Sequence, residues 1–229
     1  MTRPVRPNTW WFDAGLLAAF VALTVALAAK SPLLGLDLAI RDFADAHRPG
    51  WLDTTLRVLN YLGQGGAILT PLALIVAAVL AYRRRSVRPF LPVVGAFVAT
   101  YFTIGPLKLL TDRAAASSRI EHPEWLFHDP SGVSYPSGHV VNAIVWYGVL
   151  ALLLTGVLSE RQRMLVRAGV PALLLFTTTY LSFHWLTDGL AAILLGVVLD
   201  RTLRRIPWET IRLPRRRART PQSRPRSWS

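Results

Sequence analysis

The sequence predicts an all-α fold: an integral membrane bundle of six transmembrane helices, with short interfacial helices between the first and second spans. Three observations predict it. Of 229 residues, 52% are hydrophobic and the mean hydropathy is +0.35, more apolar than an ordinary soluble domain. Six apolar segments approach the roughly 20 residues, rising 1.5 Å each, that a membrane-crossing helix needs. The basic residues then alternate between the two sides those segments would separate.

In chain order the expected spans cover about 11–29, 66–82, 90–110, 140–158, 168–184 and 186–203. The first ends in "ALAAKS", which loosely resembles a cleavable signal, but its apolar stretch is longer than a usual signal core and an uncleaved helix is expected. Residues 31–65 are neither span nor plain loop. Leu36, Ile40 and Phe43, then Leu52, Leu56 and Leu59, recur at helical spacing among charged residues. They predict two short amphipathic helices at the outer interface that cap the bundle. The last two spans meet at a tight corner around His184 and Trp185 and form an antiparallel hairpin.

With six spans and a cytoplasmic N-terminus, 19 of the 26 Lys and Arg residues lie on the cytoplasmic side. Both termini are therefore expected in the cytoplasm of a multi-pass cell-membrane protein, with residues 31–65 and 111–139 outside. The net charge of +13 does not indicate nucleic-acid binding, because ten arginines cluster between Arg201 and Arg226. That stretch follows a span, where basic residues meet anionic lipid. The expected organisation is a membrane domain over 1–205 and a basic, disordered cytoplasmic tail over 206–229. With no cysteine, disulfides, thiol catalysis and Cys-ligated zinc are excluded.

Three polar clusters fall at one depth, the outer ends of spans three, four and five: "GPLKLLTDR" with Lys108 and Arg113, "YPSGH" with Ser137, Gly138 and His139, and "SFHWLTDG" with His184 and Asp188. Ionisable groups at membrane depth are costly and are paired or functional. Asp188, four residues after His184, shares its helical face. It can fix the imidazole tautomer and leave the other nitrogen as nucleophile, while His139, from another helix, serves as general acid. Ser137 and Gly138 open a helix whose N-terminus favours an anion, and Lys108 adds a point charge. Phosphoryl transfer without a metal is the natural chemistry. His122, Glu124, His128 and Asp129 are spaced too irregularly to argue for a metal site. Trp125, Leu126 and Phe127 are expected to dip into the interface beside a lipid entrance. Asn142 is expected near the site or in helix packing, Thr178 on the pocket wall or bonded back to its own helix, and Asp200 paired with Arg204.

"K…PSGH…HxxxD" on the ends of six apolar helices resembles the type 2 phosphatidic acid phosphatase superfamily, over roughly residues 55–205. The resemblance implies an all-α membrane enzyme that uses no metal or cofactor and hydrolyses a lipid phosphate or prenyl (pyro)phosphate. It implies phosphate binding by Lys108, Ser137 and Gly138, attack by His184 to give a phosphohistidine, orientation of His184 by Asp188, and protonation of the leaving oxygen by His139. Two positions depart from the family pattern. Ala115-Ala116 stands where the first motif has Arg-Pro, and Thr178 stands where the third has Arg. Arg113 and Arg119 flank the first gap as candidate substitutes. Losing two charge-assisted hydrogen bonds at about 1.5–3 kcal/mol each leaves two further readings open. One is phospho-head-group transfer through the same triad, and the other is non-catalytic lipid binding on a degenerate phosphatase fold. The expected partners are a lipid phosphate substrate and membrane lipids; nothing in the sequence sets an oligomeric state.

Overall fold

The computed structural model describes residues 9–211, and every regular element among them is helical. The tail from 212 onward lies outside the described residues. In order come α1 (Trp10–Ala28), α2 (Leu33–Ala46), α3 (Gly50–Asn60), α4 (Thr70–Arg84), α5 (Phe90–Thr111), α6 (Gly138–Leu153), α7 (Glu160–Met164), α8 (Val170–Tyr180) and α9 (Leu186–Arg205). A 3₁₀ turn at Tyr61–Gly63 and a π-helical turn at Gly65–Leu69 lead into α4, and a second π-helical turn at Leu165–Gly169 joins α7 to α8.

Among the described residues three helical runs are long and apolar enough to cross a membrane: Trp10–Ala28, Gly65–Arg84 and Phe90–Thr111. The central helix is shorter. α6 has 16 residues, about 24 Å at 1.5 Å each, and ends at Leu153 rather than near the expected 158. It is walled in by α4, α5, α8 and α9, and its side chains from Val140 to Leu153 are mostly buried.

The expected fifth span, 168–184, is displaced at both ends. The helical run starts at Glu160, because Ser159 and Gln162 form a capping box: Gln162 N–H donates to Ser159 Oγ at 3.3 Å and Ser159 N–H donates to Gln162 Oε1 at 2.9 Å. It stops at Tyr180 because the chain turns into the left-handed region at Ser182, φ 56°. Ser182 N–H donates to Thr179 O and Phe183 N–H to Thr178 O, at 3.1 and 3.0 Å, the double closure of a Schellman motif. Glycine normally occupies that position. Here Asp45 Oδ1 accepts from Ser182 Oγ at 2.6 Å and Arg48 Nη2 donates to it at 2.9 Å, so α2 pins the corner.

α9 packs against α6 and α8 through small residues. A Cβ on Gly189 would sit 2.1 Å from Leu175 Cδ1, one on Gly196 2.9 Å from Ile144 Cδ1, and one on Gly148 of α6 2.1 Å from Asp200 Oδ1. Such contacts let apolar helices approach closely, the main source of association where lipid competes equally for apolar surface. Asp200 pairs with Arg204 as expected, at 3.1 Å, and also with Arg167. Gly148→Ala should therefore push Asp200 off its arginines and cost about 1–3 kcal/mol. Thermal unfolding in detergent reads this loss against Gly15→Ala, where the added Cβ meets nothing within 4 Å.

Candidate active site

The ends of α5, α6 and α8 and the start of α9 converge on a cavity of about 600 Å³. Lys108, Gly138, His139, Asn142, Ser134 and His184 are on its wall. Residues 63–66 close one side, and they can approach so closely because 63 and 65 are glycines. A Cβ on Gly65 would fall 2.5 Å from Asn142 Cγ, and one on Gly63 would fall 3.0 Å from His139 Cβ.

The two imidazoles face each other edge to face with centroids 5.8 Å apart. His184 is held from behind. Its Nδ1 lies 3.1 Å from Ser134 Oγ and 3.5 Å from Asp188 Oδ2. Ser134 Oγ donates to that same carboxylate oxygen at 2.5 Å. A hydroxyl that donates to Asp188 can only accept from His184, which assigns the imidazole proton to Nδ1. Nε2 is then the unprotonated nitrogen, with no partner among the described residues. The backbone fixes the ring as well: His184 N–H donates to Thr178 O at 3.2 Å, and Trp185 N–H to Asp188 Oδ2 at 3.1 Å.

His139 has a different partner. Its Nε2 lies 3.2 Å from Asn60 Nδ2 at the end of α3. Asn60 Oδ1 is buried without a partner, so turning the amide over would offer an acceptor to a protonated His139. One side chain thus suits either protonation state. Lys108 Nζ donates to Val133 O in a short contact and lies across the start of α6, where a Cβ on Gly138 would be 3.9 Å from it. The first-turn N–H groups of α6 add their partial positive charge to the ammonium. Ser137 is fully buried and its Oγ has no hydrogen-bond partner.

Behind the cavity lies a heavily bonded, fully buried group. Arg113, fully buried, donates from Nη1 to Asp188 Oδ1 at 2.6 Å and to Thr187 Oγ1 at 2.8 Å. Nη2 donates to Asp37 Oδ2 at 2.7 Å and Nε to Glu124 O at 2.9 Å. Thr187 N–H donates to Asp37 Oδ1 at 3.0 Å. Tyr135 closes the same end: its hydroxyl is 2.6 Å from Thr24 Oγ1, and burial pushes the phenol up to about 12, so it stays neutral. The Tyr135–Pro136 peptide is cis.

Several expected positions are corrected by this geometry. Arg113 does not reach the cavity, because two carboxylates and a carbonyl take its guanidinium. Thr178 is off the wall: its hydroxyl is buried and donates to Leu174 O at 2.7 Å, as threonines in apolar helices commonly do. Arg119 is exposed beside Ser118, a wall residue, and makes no ion pair among the described residues. Of the three residues expected to dip into lipid, Leu126 packs instead with Phe20, Leu34 and Tyr135. Trp125 lies between His122, stacked at 3.8 Å, and Lys30 at 3.2 Å, and only Phe127 is well exposed. Ser134, Asn60 and Asp37 escaped the sequence reading. The one signal for them was Asp37, an acid three residues after Leu34 on the buried stripe of α2.

Arg113→Ala would leave Asp37 and Asp188 buried without a counter-charge, which costs about 3–5 kcal/mol. We expect a large drop in the melting midpoint in detergent, and little recovery with Arg113→Lys, whose ammonium lacks the planar fork. Arg119→Ala should leave the midpoint within the range of about 0.5 kcal/mol typical of surface changes.

Comparison with known proteins agrees with this architecture. The PAP2 superfamily model matches residues 72–212. Phosphatidylglycerophosphatase B of Bacillus subtilis (strain 168) is 30% identical over 170 residues, which cover 71% of this chain and 79% of that protein. The crystal structure of the first transmembrane PAP2 type phosphatidylglycerolphosphate phosphatase from Bacillus subtilis superposes with a TM-score of 0.69 at 24% identity. The match covers 84% of this chain and 94% of that one, and shows a shared fold. With the lysine, the two histidines and the aspartate brought to one end of an apolar bundle, the chain is a membrane protein that belongs to the PAP2 superfamily.

Proposed function

We propose that this protein is a lipid phosphatase that hydrolyses the phosphomonoester or pyrophosphate of a membrane lipid through a phosphohistidine. The single observation that carries the reading is the pair of facing imidazoles, 5.8 Å apart on one cavity, of which only His184 is backed by a carboxylate. The curated relative's name, a phosphatidylglycerophosphatase, makes phosphatidylglycerol phosphate the first substrate to offer.

In this reading His184 Nε2 attacks phosphorus and the bond to the lipid oxygen breaks. His139 gives that oxygen its proton. His139 then takes a proton from water as the water attacks the phosphohistidine, and inorganic phosphate leaves. Asp188 and Ser134 hold the Nδ1 proton throughout. Lys108, the first-turn N–H groups of α6 and the Ser137 hydroxyl bind the phosphoryl oxygens. Ser137 lies behind the wall at Gly138 rather than on it, so its hydroxyl, whose lack of a partner costs about 1–3 kcal/mol, would reach a phosphoryl oxygen only after a small local shift. Beside the site a smaller cavity of about 260 Å³ shares Gly65, Gly66 and Asn142 with it and runs past Phe97, Tyr101 and Ile104. Its apolar walls between α4 and α5 suit a lipid chain entering sideways.

The surrounding organisation belongs to the same proposal. Six spans, formed by α1, α4, α5, α6, the α7–α8 run and α9, make up residues 1–205, with α2 and α3 at the outer interface. The catalytic end faces outside the cytoplasm, and both termini and the basic tail from 206 onward lie inside. A second reading, transfer of a phospho head group to an alcohol, is favoured by one observation. Among the described residues on the cavity wall Lys108 is the only Lys or Arg, and Asp129 is there too. A phosphodiester, with one negative charge, asks less of such a site than a phosphomonoester.

Phosphate release by purified protein is the test, with phosphatidylglycerol phosphate, phosphatidic acid, prenyl phosphate and prenyl pyrophosphate offered in turn. We expect His184→Ala to abolish release and His139→Ala to slow it by about 10²–10⁴. Arg119→Ala should raise KM if that residue swings in as the clamp. Folded protein that releases nothing from the panel, yet moves a head group from a phosphodiester lipid to an alcohol, would establish the transferase reading instead. Inactivity in both assays, with lipid retained, would leave a binding protein.

A further inference from the structure

A second cavity, about 530 Å³, lies at the end of the bundle away from the site. It is bounded by the last turn of α4, the start of α5, the end of α6 and the chain after α9. The distance is set by α6, whose first residues line the catalytic cavity and whose last ones line this one, about 24 Å along a 16-residue helix. We propose that this cavity binds the phosphate-bearing headgroup of an anionic membrane lipid.

The walls are built for it. After α9 the chain folds back, with Trp208 Nε1 donating to Leu203 O at 2.9 Å. The indole packs against α5 where only glycine leaves room, since a Cβ on Gly95 would be 2.6 Å from Trp208 Cη2. Pro89, Pro92, Leu153 and Ile206 supply apolar surface, and Arg84, Arg88 and Arg204 supply charge.

The charge is in excess. Arg204 shares Asp200 with Arg167, two guanidinium groups to one carboxylate. Arg84 and Arg88 make no ion pair among the described residues, and the wall holds a single carboxylate, Glu209. Two or more uncompensated guanidinium groups over an apolar floor match a phosphate joined to an apolar body better than a free anion. The depth also fits. Tyr82, Trp10 and Trp11 are exposed at this end, and aromatic residues of this kind mark the level of lipid headgroups. Residues 212–229 add seven more arginines and no Asp or Glu to this end of the chain.

The experiment compares phosphatidylglycerol with phosphatidylcholine binding to the full chain in nanodiscs, reading bound lipid by native mass spectrometry. Arg84→Gln/Arg88→Gln removes two charges from the cavity, and Arg216→Gln/Arg217→Gln removes two from the tail. None of the four is in the catalytic machinery, so His184-dependent phosphate release and the melting midpoint report that each variant is folded. We expect the cavity variant to bind phosphatidylglycerol at least about tenfold more weakly, the equivalent of one charge-assisted contact, and the tail variant to bind almost as wild type. Equal weakening in both would mean general attraction to an anionic surface and would overturn the proposal, as would no change in either. Inorganic phosphate is the third arm. Displacement of phosphatidylglycerol by millimolar phosphate would reassign the site to the free ion. A single Arg88→Glu change gives a second, independent variant and should weaken binding further than Arg88→Gln. The readout is lipid binding at the far end and is independent of the phosphatase reading.

Discussion

One buried guanidinium holds together the end of the bundle that carries the two histidines. Arg113 joins the loop after α5 to Asp37 on α2 and to Asp188 on α9, three pieces of chain far apart in sequence. Isolated, any of these charges would be untenable away from water. Together, with Thr187 bonded to both Arg113 and Asp37, each donor and acceptor has a partner. Because Asp188 spends one oxygen on Arg113 and the other on Ser134 and the Trp185 amide, its orientation is fixed before any substrate arrives. The imidazole of His184 inherits that orientation.

The helices between the first two long apolar runs do more than cover the bundle. α2 supplies Asp37 to the arginine and Asp45 to the left-handed corner at Ser182, two residues before His184, where Arg48, just past the end of α2, joins it. Its C-terminal His47 carbonyl accepts from Tyr180 Oη at 2.6 Å. α3 ends on Asn60, which reaches His139. Each histidine therefore depends on a segment that contributes nothing to the motif around it. A left-handed serine is affordable there because its side chain is bonded twice.

The absence of arginine at positions 115 and 178 has a structural counterpart. Ala115 borders the cavity directly, and Thr178 turns inward to serve the helix end that carries His184. Positive potential in the cavity comes instead from Lys108 and the first turn of α6, whose N–H groups have no intrahelical acceptors. Such a site is less positive than one with two extra guanidinium groups. Under the proposed phosphatase reading its chemistry leans on geometry: His184 as nucleophile and His139 as acid facing each other across the cavity, with donors already in place.

The amino-acid sequence by itself determined the helical class, the long apolar runs and the depth at which the polar residues gather. These follow from hydropathy and from spacing along one chain, and both are local properties. It also determined the pairing of His184 with Asp188, one helical turn apart, and of Asp200 with Arg204. Helix ends were harder to read, because the left-handed caps at Lys30, Arg85, Asp112 and Ser182 use no glycine. Only the tertiary structure decided what Arg113 does. Its place near the gap left by the missing motif arginine made it a candidate phosphate ligand, yet partners 76 and 75 residues away, Asp37 and Asp188, claim it. The same is true of Asn60 and Ser134, polar residues whose meaning lies wholly in what stands opposite them. Spacing orders residues along a helix, but a buried charge is placed by its counter-charge, and that is found only when the chain has folded.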